Sequence, residues 1–205
     1  MVSTLKLTKI QHPNDTDAVQ VGSDGSISFS VDKRENIVTG TAESMSGTEN
    51  TITGIPSNAH CVRLYIDGTY KTGSNTQSRF RIGAGSIATS GYDWRVNAPS
   101  AAGTAYTEGS TAGCDTYMDG AQGSSYTVWG YYEVRKMIST SNRYLITSWL
   151  MSNNSYYLNQ GIGYIDLGGT LDRVQWTTVN GTATFAGGKI YFCLLYTSPS
   201  PRDRS

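Results

Sequence analysis

The sequence predicts an all-β protein: a two-sheet antiparallel β-sandwich, jelly-roll-like, with a short N-terminal β appendage. Three observations lead to this prediction. Only 16% of the 205 residues are charged, and the chain contains 23 glycines and 14 tyrosines. Apolar and polar residues alternate in many short runs separated by Gly, Ser and Asn, whereas helical periodicity is nearly absent. This combination is typical of short strands joined by tight turns.

Residues 1–40 are predicted to form the appendage. The run LKLTKI at 5–10 alternates apolar and polar residues, and AVQV at 18–21 and SISFSV at 26–31 have the pattern of short strands. The segment 22–25 between them, GSDG, carries a hairpin turn signal. Such a small unit buries little apolar surface by itself, so we expect it to pack against other chains.

Residues 41–192 are predicted to form the sandwich, because strand patterns recur there with turns between them. Strands are expected at Ile37–Ala42, Asn50–Ile55, Cys61–Asp67, Ser78–Ile82, Trp94–Asn97, Tyr126–Met137, Tyr144–Met151 and Tyr156–Tyr164. The last segment, Leu171–Phe192, is predicted to be a hairpin that turns at Asn180 and Gly181. The segment Asn97–Ser125 is rich in Ala, Gly, Ser and Thr and is predicted to be a long loop without strands.

Alternation within these strands predicts which residues form the core. The inward set is Val62, Leu64, Ile66, Phe80, Ile82, Val128, Tyr132, Val134, Ile146, Leu150, Val174, Trp176, Ile190 and Phe192. The opposite phase carries Arg63, Arg79, Arg81, Glu133 and Arg135, which we expect to form a solvated face.

Several blocks of the chain resemble tail-fibre-like proteins of bacteriophages, especially marine ones. The segment LDRVQWTTVNGTATFAGGKIYF at 171–192 resembles the closing strands of their β-sandwich domain. GTENTITGIP at 47–56, CVRLYIDG at 61–68 and RFRIGAGSIATSGY at 79–92 resemble earlier blocks in the same order. STLKLTKIQ at 3–11, followed by a polar turn and AVQVGSDGSISF, is similar to the first residues of these proteins.

The resemblance implies a non-enzymatic virion protein that is made in the cytoplasm of the bacterial host and resides in the phage tail. Residues 1–40 would dock on other virion proteins or pair between protomers, and the protein would be a homotrimer. Residues 41–192 would display the β-sandwich for host-surface attachment or as a structural part of the fibre. Its external partner would be a host-surface glycan or protein.

The C-terminal residues 193–205, CLLYTSPSPRDRS, are interpreted as an artefact. Residues 193–203 equal what one reading frame of a common transposase-type sequencing adapter encodes. We therefore expect that Phe192 is the last native residue in this sequence. The natural chain would continue for a few residues to complete the last strand.

Composition argues against several other functions. The formal net charge is zero, so no electrostatic attraction to nucleic acid or anionic membranes is expected, and no run is apolar enough for membrane insertion. His12 and His60 are the only histidines and are far apart in the sequence. We therefore expect no histidine metal site and no histidine that acts as the base of a catalytic nucleophile. No cofactor is expected. Cys61 and Cys114 are expected to be free thiols. Gly83–Gly85 and Gly161–Gly163 are interpreted as turns or bulges, not as phosphate-binding loops.

Two alternatives from other classes remain open. A carbohydrate-active depolymerase would need two carboxylates in one cleft, and Asp93, Asp115, Asp119, Glu133 and Asp166 are predicted on loops or exposed faces. Asp115 and Asp119 are interpreted as turn residues. A carbohydrate-binding module is the second alternative.

Aromatic residues are the candidates for a ligand site, because the chain has more of them than a small core needs. Tyrosine and tryptophan rings suit sugar faces and protein interfaces alike. Alternatively, many of them cover the second face of a sheet or a subunit interface. The predicted ligand-binding residues are Tyr92, Trp94, Tyr106, Tyr117, Tyr156 and Tyr157, within a larger set that includes Trp129, Tyr131 and Trp149.

Overall fold

The structure, a computed structural model, describes residues 9–11, 17–21, 27–29, 35–73, 76–99, 105–117, 126–138, 140–153 and 158–197. Side chains are described from residue 38 onward, apart from those of 105–106 and 196–197. The described residues contain no α-helix, and thus none that is long and apolar enough to cross a bilayer. The strands are β1 (Lys9–Gln11), β2 (Asp17–Val21), β3 (Ile27–Phe29), β4 (Glu35–Thr39), β5 (Glu43–Ser44), β6 (Glu49–Thr53), β7 (Cys61–Thr72), β8 (Ser78–Ala84), β9 (Ser86–Ile87), β10 (Tyr92–Pro99), β11 (Ala105–Ser110), β12 (Cys114–Asp115), β13 (Val128–Lys136), β14 (Arg143–Ser152), β15 (Leu158–Asp166), β16 (Arg173–Thr178) and β17 (Thr184–Thr197).

The strands form three sheets. The large sheet has the order β11-β10-β15-β14-β13-β7-β17-β4, and β5 also pairs with β17. The small sheet has the order β12-β8-β16-β6, and β9 pairs with β8. β1, β2 and β3 form an antiparallel N-terminal sheet. The chain divides into two units, Met1–Asn36 with Ser198–Ser205 and Ile37–Thr197, and the second contains the large and small sheets.

One core lies between the large and the small sheet. The ring of Tyr132, from the large sheet, stacks on Phe80 of the small sheet with 4.6 Å between centroids. The same ring contacts Trp176 of the small sheet at 5.7 Å and Trp94 of the large sheet at 5.9 Å. Burial alternates along the strands, as in Tyr144 to Ser152 of β14, so each sheet turns one face inward. The predicted all-β sandwich is confirmed.

The core predicted from alternation is also confirmed, with one residue at its margin. All members of the inward set are buried except Phe192, which is partly buried and packs against the core. The opposite phase is only partly solvated. Arg79 and Glu133 are buried, because each is covered by neighbouring side chains with which it forms ion pairs.

The C-terminal segment corrects one prediction. Leu171–Phe192 is not a hairpin, because β16 pairs with β6 and β8 in the small sheet, whereas β17 pairs with β7 in the large sheet. The turn itself lies where predicted, with Gly181 at φ +68°. A local turn signal shows where the chain reverses, but the partners of each strand are chosen by burial against the rest of the sandwich.

The segment Asn97–Ser125 also differs from its prediction as a loop. β11 forms an antiparallel hairpin with β10, from Trp94 opposite Ser110 to Pro99 opposite Ala105. β12 pairs with β8, where Cys114 lies opposite Phe80, so Asp115 belongs to a strand and not to a turn. The Ala, Gly and Ser content hides these strands, since both are edge strands held by pairing and not by their own propensity. Residue 119 lies outside the described part.

The end of β17 lies within the residues assigned to the adapter. Cys193, Leu194 and Leu195 pair with Arg63, Val62 and Cys61, and Leu194 is buried in the core. An apolar residue at this position completes the inward face of the strand. The adapter interpretation stays a prediction, and residues 198–205 lie outside the described part.

The turn between β16 and β17 is stabilised by the Asn180 side chain. Its Oδ1 accepts hydrogen bonds from the backbone N–H groups of Thr182, at 3.0 Å, and Ala183, at 3.1 Å. We expect Asn180→Ala to lower the free energy of unfolding by about 1 kcal/mol, because both bonds are lost at an exposed site. Asn180→Asp keeps the acceptor and serves as the control. Equal urea midpoints for Asn180→Ala and the parent would contradict this role.

Candidate binding face on the large sheet

Two of the predicted ligand-binding residues, Tyr92 and Trp94, are core residues. Trp94 is only 1% exposed, and its indole N–H donates to the carbonyl oxygen of Asp115 at 3.1 Å. The Tyr92 hydroxyl accepts from the Ile82 N–H, and its one hydrogen is within reach of the carbonyl oxygens of Ile82 and Ala88. Burial raises the pKa of Tyr92 well above its ordinary value. Neither ring can offer its face to a ligand, so the structure corrects both assignments.

The other predicted residues do not form a site within the described structure. Tyr117 is partly buried and packs against the core. Tyr106 lies in β11, but its side chain is outside the described part, as are Tyr156 and Tyr157 altogether. The physical reason for the error at Tyr92 and Trp94 is their phase. The strand pattern YDWRVNA places Tyr92, Trp94 and Val96 inward, and Asp93, Arg95 and Asn97 outward.

Other aromatic residues, half-buried or exposed, lie on the outer face of the large sheet. One line of directly paired residues crosses six neighbouring strands, β17, β7, β13, β14, β15 and β10. It consists of Tyr191, Tyr65, Tyr131, Trp149, Gln160 and Asn97. We call this line the transverse row. Four aromatic side chains are thus followed by two amides, in register and perpendicular to the strands.

The tyrosine end of the transverse row is an ordered cluster of rings. Tyr65 and Tyr191 stack with 5.0 Å between centroids and 13° between planes. Tyr131 is tilted by 53° to Tyr65 at 5.8 Å, and the guanidinium of Arg63 lies 4.5 Å from its centroid. Burial, followed by the neighbouring phenol of Tyr65, raises the pKa of Tyr191. Ring faces at this end are used within the protein, so the cluster presents mainly edges.

Trp149 and the two amides form the open end of the row. The Trp149 side chain is 50% exposed, and within the described residues it makes no ring contact or hydrogen bond. Gln160 is half-buried and Asn97 exposed, and neither side-chain amide has a hydrogen-bond partner among the described residues. An open indole ring therefore lies beside two amides that can each donate and accept hydrogen bonds.

Apolar side chains flank this open end on β14 and β15. Ile162 is 57% exposed and lies opposite Arg95, and Tyr164 is 40% exposed with Arg143 5.2 Å from its ring centroid. Met151 and Leu158 face each other on the other side of the row and are also exposed. Several exposed apolar side chains on one sheet face are characteristic of a binding face.

The charged groups next to the row form ion pairs with one another. Glu133 accepts hydrogen bonds from Arg63 and Arg135, and Arg95 pairs with Asp93 at 3.0 Å. Burial acts to raise the pKa of Glu133, but the hydrogen bonds from Arg135 and Arg63 outweigh it, and the net effect lowers that pKa. Burial, followed by the charge of Glu133, raises the pKa of the Cys61 thiol to about 11. Arg95 and Asp93 therefore cancel at the open end of the face, whereas Glu133 is shared by two arginines, which leaves one positive charge near the tyrosines.

The candidate catalytic carboxylates are all engaged by arginines where the structure describes them. Asp93 pairs with Arg95, Glu133 with Arg63 and Arg135, Asp115 with Arg79, and Asp166 with Arg143. The Arg143 hydrogen bond lowers the pKa of Asp166. Within the described residues, no three His, Cys, Asp or Glu side chains cluster as metal ligands. Cys61 and Cys114 are free thiols.

Sequence reasoning found part of this face and missed the rest. Tyr131 and Trp149 belong to the larger aromatic set, whereas Tyr65, Tyr191, Gln160 and Asn97 were not among the candidates. The signal that could have found the two tyrosines is their outward phase, beside Val62, Leu64 and Ile190 in the inward phase. No sequence signal aligns six strands, because register depends on which strands pair.

The chain was compared with models of known protein families, with curated protein sequences and with solved structures, and none of the three comparisons gave a match.

Proposed function

We propose that this chain is a non-enzymatic virion protein of the tail-fibre type that attaches to the host surface through the outer face of the large sheet. The observation that carries the proposal is the transverse row, an ordered line of aromatic and amide side chains on an open sheet face. Its residues lie on paired strands, so the surface is pre-organised and little conformational entropy is lost on binding.

The state of the carboxylates favours binding over hydrolysis. Glycoside hydrolysis needs a carboxylic acid whose pKa is raised so that it can protonate the leaving group. Glu133 and Asp166 have lowered pKa values, and their oxygens are occupied by arginines. A carbohydrate-binding module is the second candidate, since the transverse row would serve it equally well.

Binding of the fluorescently labelled protein to a panel of bacterial strains tests the attachment function. We expect selective labelling of some strains. Ile162→Glu should weaken labelling at least tenfold, because it places a carboxylate in the middle of the face. Thr53→Glu is the matched control: Thr53 is exposed on the small sheet and lies opposite Arg173, as Ile162 lies opposite Arg95.

Two outcomes would overturn this proposal. If the folded protein labels none of the strains, attachment is excluded and the protein would be a structural part of the fibre. Equal labelling by the parent and Ile162→Glu would remove the binding role of the large sheet.

The same proposal includes assembly. Residues 1–40 would dock on other virion proteins and hold three chains together, because the three-stranded N-terminal sheet is small for independent stability. Light scattering at micromolar concentration should give three times the mass of the chain. A monomer under these conditions would contradict the trimer.

A further inference from the structure

We infer that the ligand of the transverse row is an uncharged polysaccharide chain that lies across the strands, with Trp149, Gln160 and Asn97 as its principal contacts. This inference rests on the proposed attachment function and names the class of receptor.

The side chains at the open end of the row match the two surfaces of a sugar ring. A pyranose has an apolar face of C–H groups, which packs on an aromatic ring, and a rim of hydroxyl groups, which both donate and accept hydrogen bonds. Trp149 supplies an aromatic ring that is half exposed and contacts no other ring among the described residues. Gln160 and Asn97, its successive cross-strand neighbours, supply amides that donate and accept.

The length and rigidity of the row suit a polymer more than a single sugar. Six strands at a spacing of about 4.8 Å give a line of roughly 24 Å. Every position belongs to a strand that is paired on both sides, from β17 to β10. The stacked Tyr65 and Tyr191 continue the line with ring edges, which an extended chain can follow beyond the Trp149 contact.

The charges around the transverse row favour an uncharged polysaccharide. The transverse row contains no charged residue. Arg63 is engaged by Glu133 and by the Tyr131 ring, Arg135 by Glu133, and Arg95 by Asp93. At Trp149, Gln160 and Asn97 an acidic polysaccharide would meet no unpaired cation among the described residues, because Arg95 is neutralised by the exposed carboxylate of Asp93. An uncharged polysaccharide needs no cation at these contacts.

Surface polysaccharide from a strain that the protein labels provides the test. The extract is separated by anion exchange into a neutral and an acidic fraction, and each is cast into a native gel. We expect the neutral fraction to retard the protein and the acidic fraction to leave its mobility unchanged. Trp149→Ala and Gln160→Ala should each weaken the retardation at least tenfold.

Met137→Ala is the control for Trp149→Ala. Met137 is an exposed apolar residue that follows β13, six residues along the chain from Tyr131 and thus roughly 20 Å from the row. Equal urea midpoints for the variants establish that they are folded. If Met137→Ala weakens the retardation as much as Trp149→Ala does, the row is excluded as the site.

The outcomes separate this inference from the attachment function. If cells are labelled but the neutral fraction does not retard the protein, the polysaccharide inference is wrong and the attachment function stands. Labelling that is lost after protease treatment of the cells would show a protein receptor instead. Stronger retardation by the acidic fraction would overturn the neutral class. Absence of labelling on every strain would remove the attachment function itself.

Discussion

Gly161→Ala is expected to lower the free energy of unfolding by about 3 kcal/mol, the upper part of the usual range for overpacking a core. A Cβ at Gly161 would overlap Cζ2 and Cη2 of the Trp94 indole and lie 2.8 Å from Oγ of Ser148. Gly161 does not have a positive φ, so the cost is steric and not one of backbone strain.

The indole cannot move away from the new methyl group without losing other contacts. Its N–H is held by the carbonyl oxygen of Asp115, and its ring packs against Tyr132. Gly163, two residues along β15, leaves room for the carbonyl oxygen of Asp93 and for Trp94. The glycines predicted to be turns or bulges at 161–163 are therefore regular strand residues that accommodate a large side chain. In the segment 83–85 the turn prediction is confirmed for Gly85, at φ +74°, whereas Gly83 belongs to strand β8.

Urea unfolding followed by circular dichroism measures the effect. Gly168→Ala is the control, because Gly168 is exposed and no atom lies within 4 Å of its added Cβ. In a Trp94→Phe background the six-membered ring of the indole is absent, so Gly161→Ala should cost at least about 1 kcal/mol less than in the parent. If Gly161→Ala unfolds at the same urea concentration as Gly168→Ala, the packing described for Trp94 is incorrect.

Asp115→Ala should lower the free energy of unfolding by about 3–5 kcal/mol, since it removes one partner of a buried ion pair. The Arg79 side chain contacts both carboxylate oxygens of Asp115, and the two side chains are only 11% and 14% exposed. Without Asp115 the guanidinium would remain buried between β8 and β12 with no counter-ion.

Asp166→Ala provides a matched comparison. Arg143 also binds both oxygens of Asp166, at 2.8 and 2.7 Å, but the side chains are 47% and 56% exposed. Water replaces the lost partner there, so the urea midpoint should hardly change. The double variant Arg79→Leu with Asp115→Leu should recover most of the loss, because no unpaired charge remains. Similar losses for Asp115→Ala and Asp166→Ala would show that burial of the Arg79 pair is unimportant.

Both predictions involve a contact with β12, since Trp94 donates to the Asp115 carbonyl oxygen and Arg79 pairs with the Asp115 side chain. β12 could not be predicted from the sequence. Its two residues have no strand pattern of their own. Three contacts from distant parts of the chain hold it: the Arg79 pair, the Trp94 N–H, and the Tyr132 hydroxyl, which donates to the carbonyl oxygen of Cys114 at 3.1 Å. These contacts exist only after both sheets have formed.

On the binding face, the direction of each side chain could be predicted from the sequence, but its neighbours could not. Alternation in β7 indicates that Leu64 and Ile66 point inward and hence that Tyr65 points outward, which is a local property of the strand. It does not indicate that Tyr65 stacks on Tyr191, 126 residues later, or that Trp149 lies beside Gln160. Those neighbours depend on strand order and register.

The sequence by itself determined the fold class, most of the strands and the inward set of core residues. These follow from the two-residue period of a strand and from the cost of leaving apolar side chains in water, and both act locally along the chain. Only the tertiary structure decided which strands share a sheet, that β16 and β17 separate, and which side chains are neighbours on the outer face. The physical reason is that pairing partners and register are set by burial over the whole sandwich, which no single segment contains.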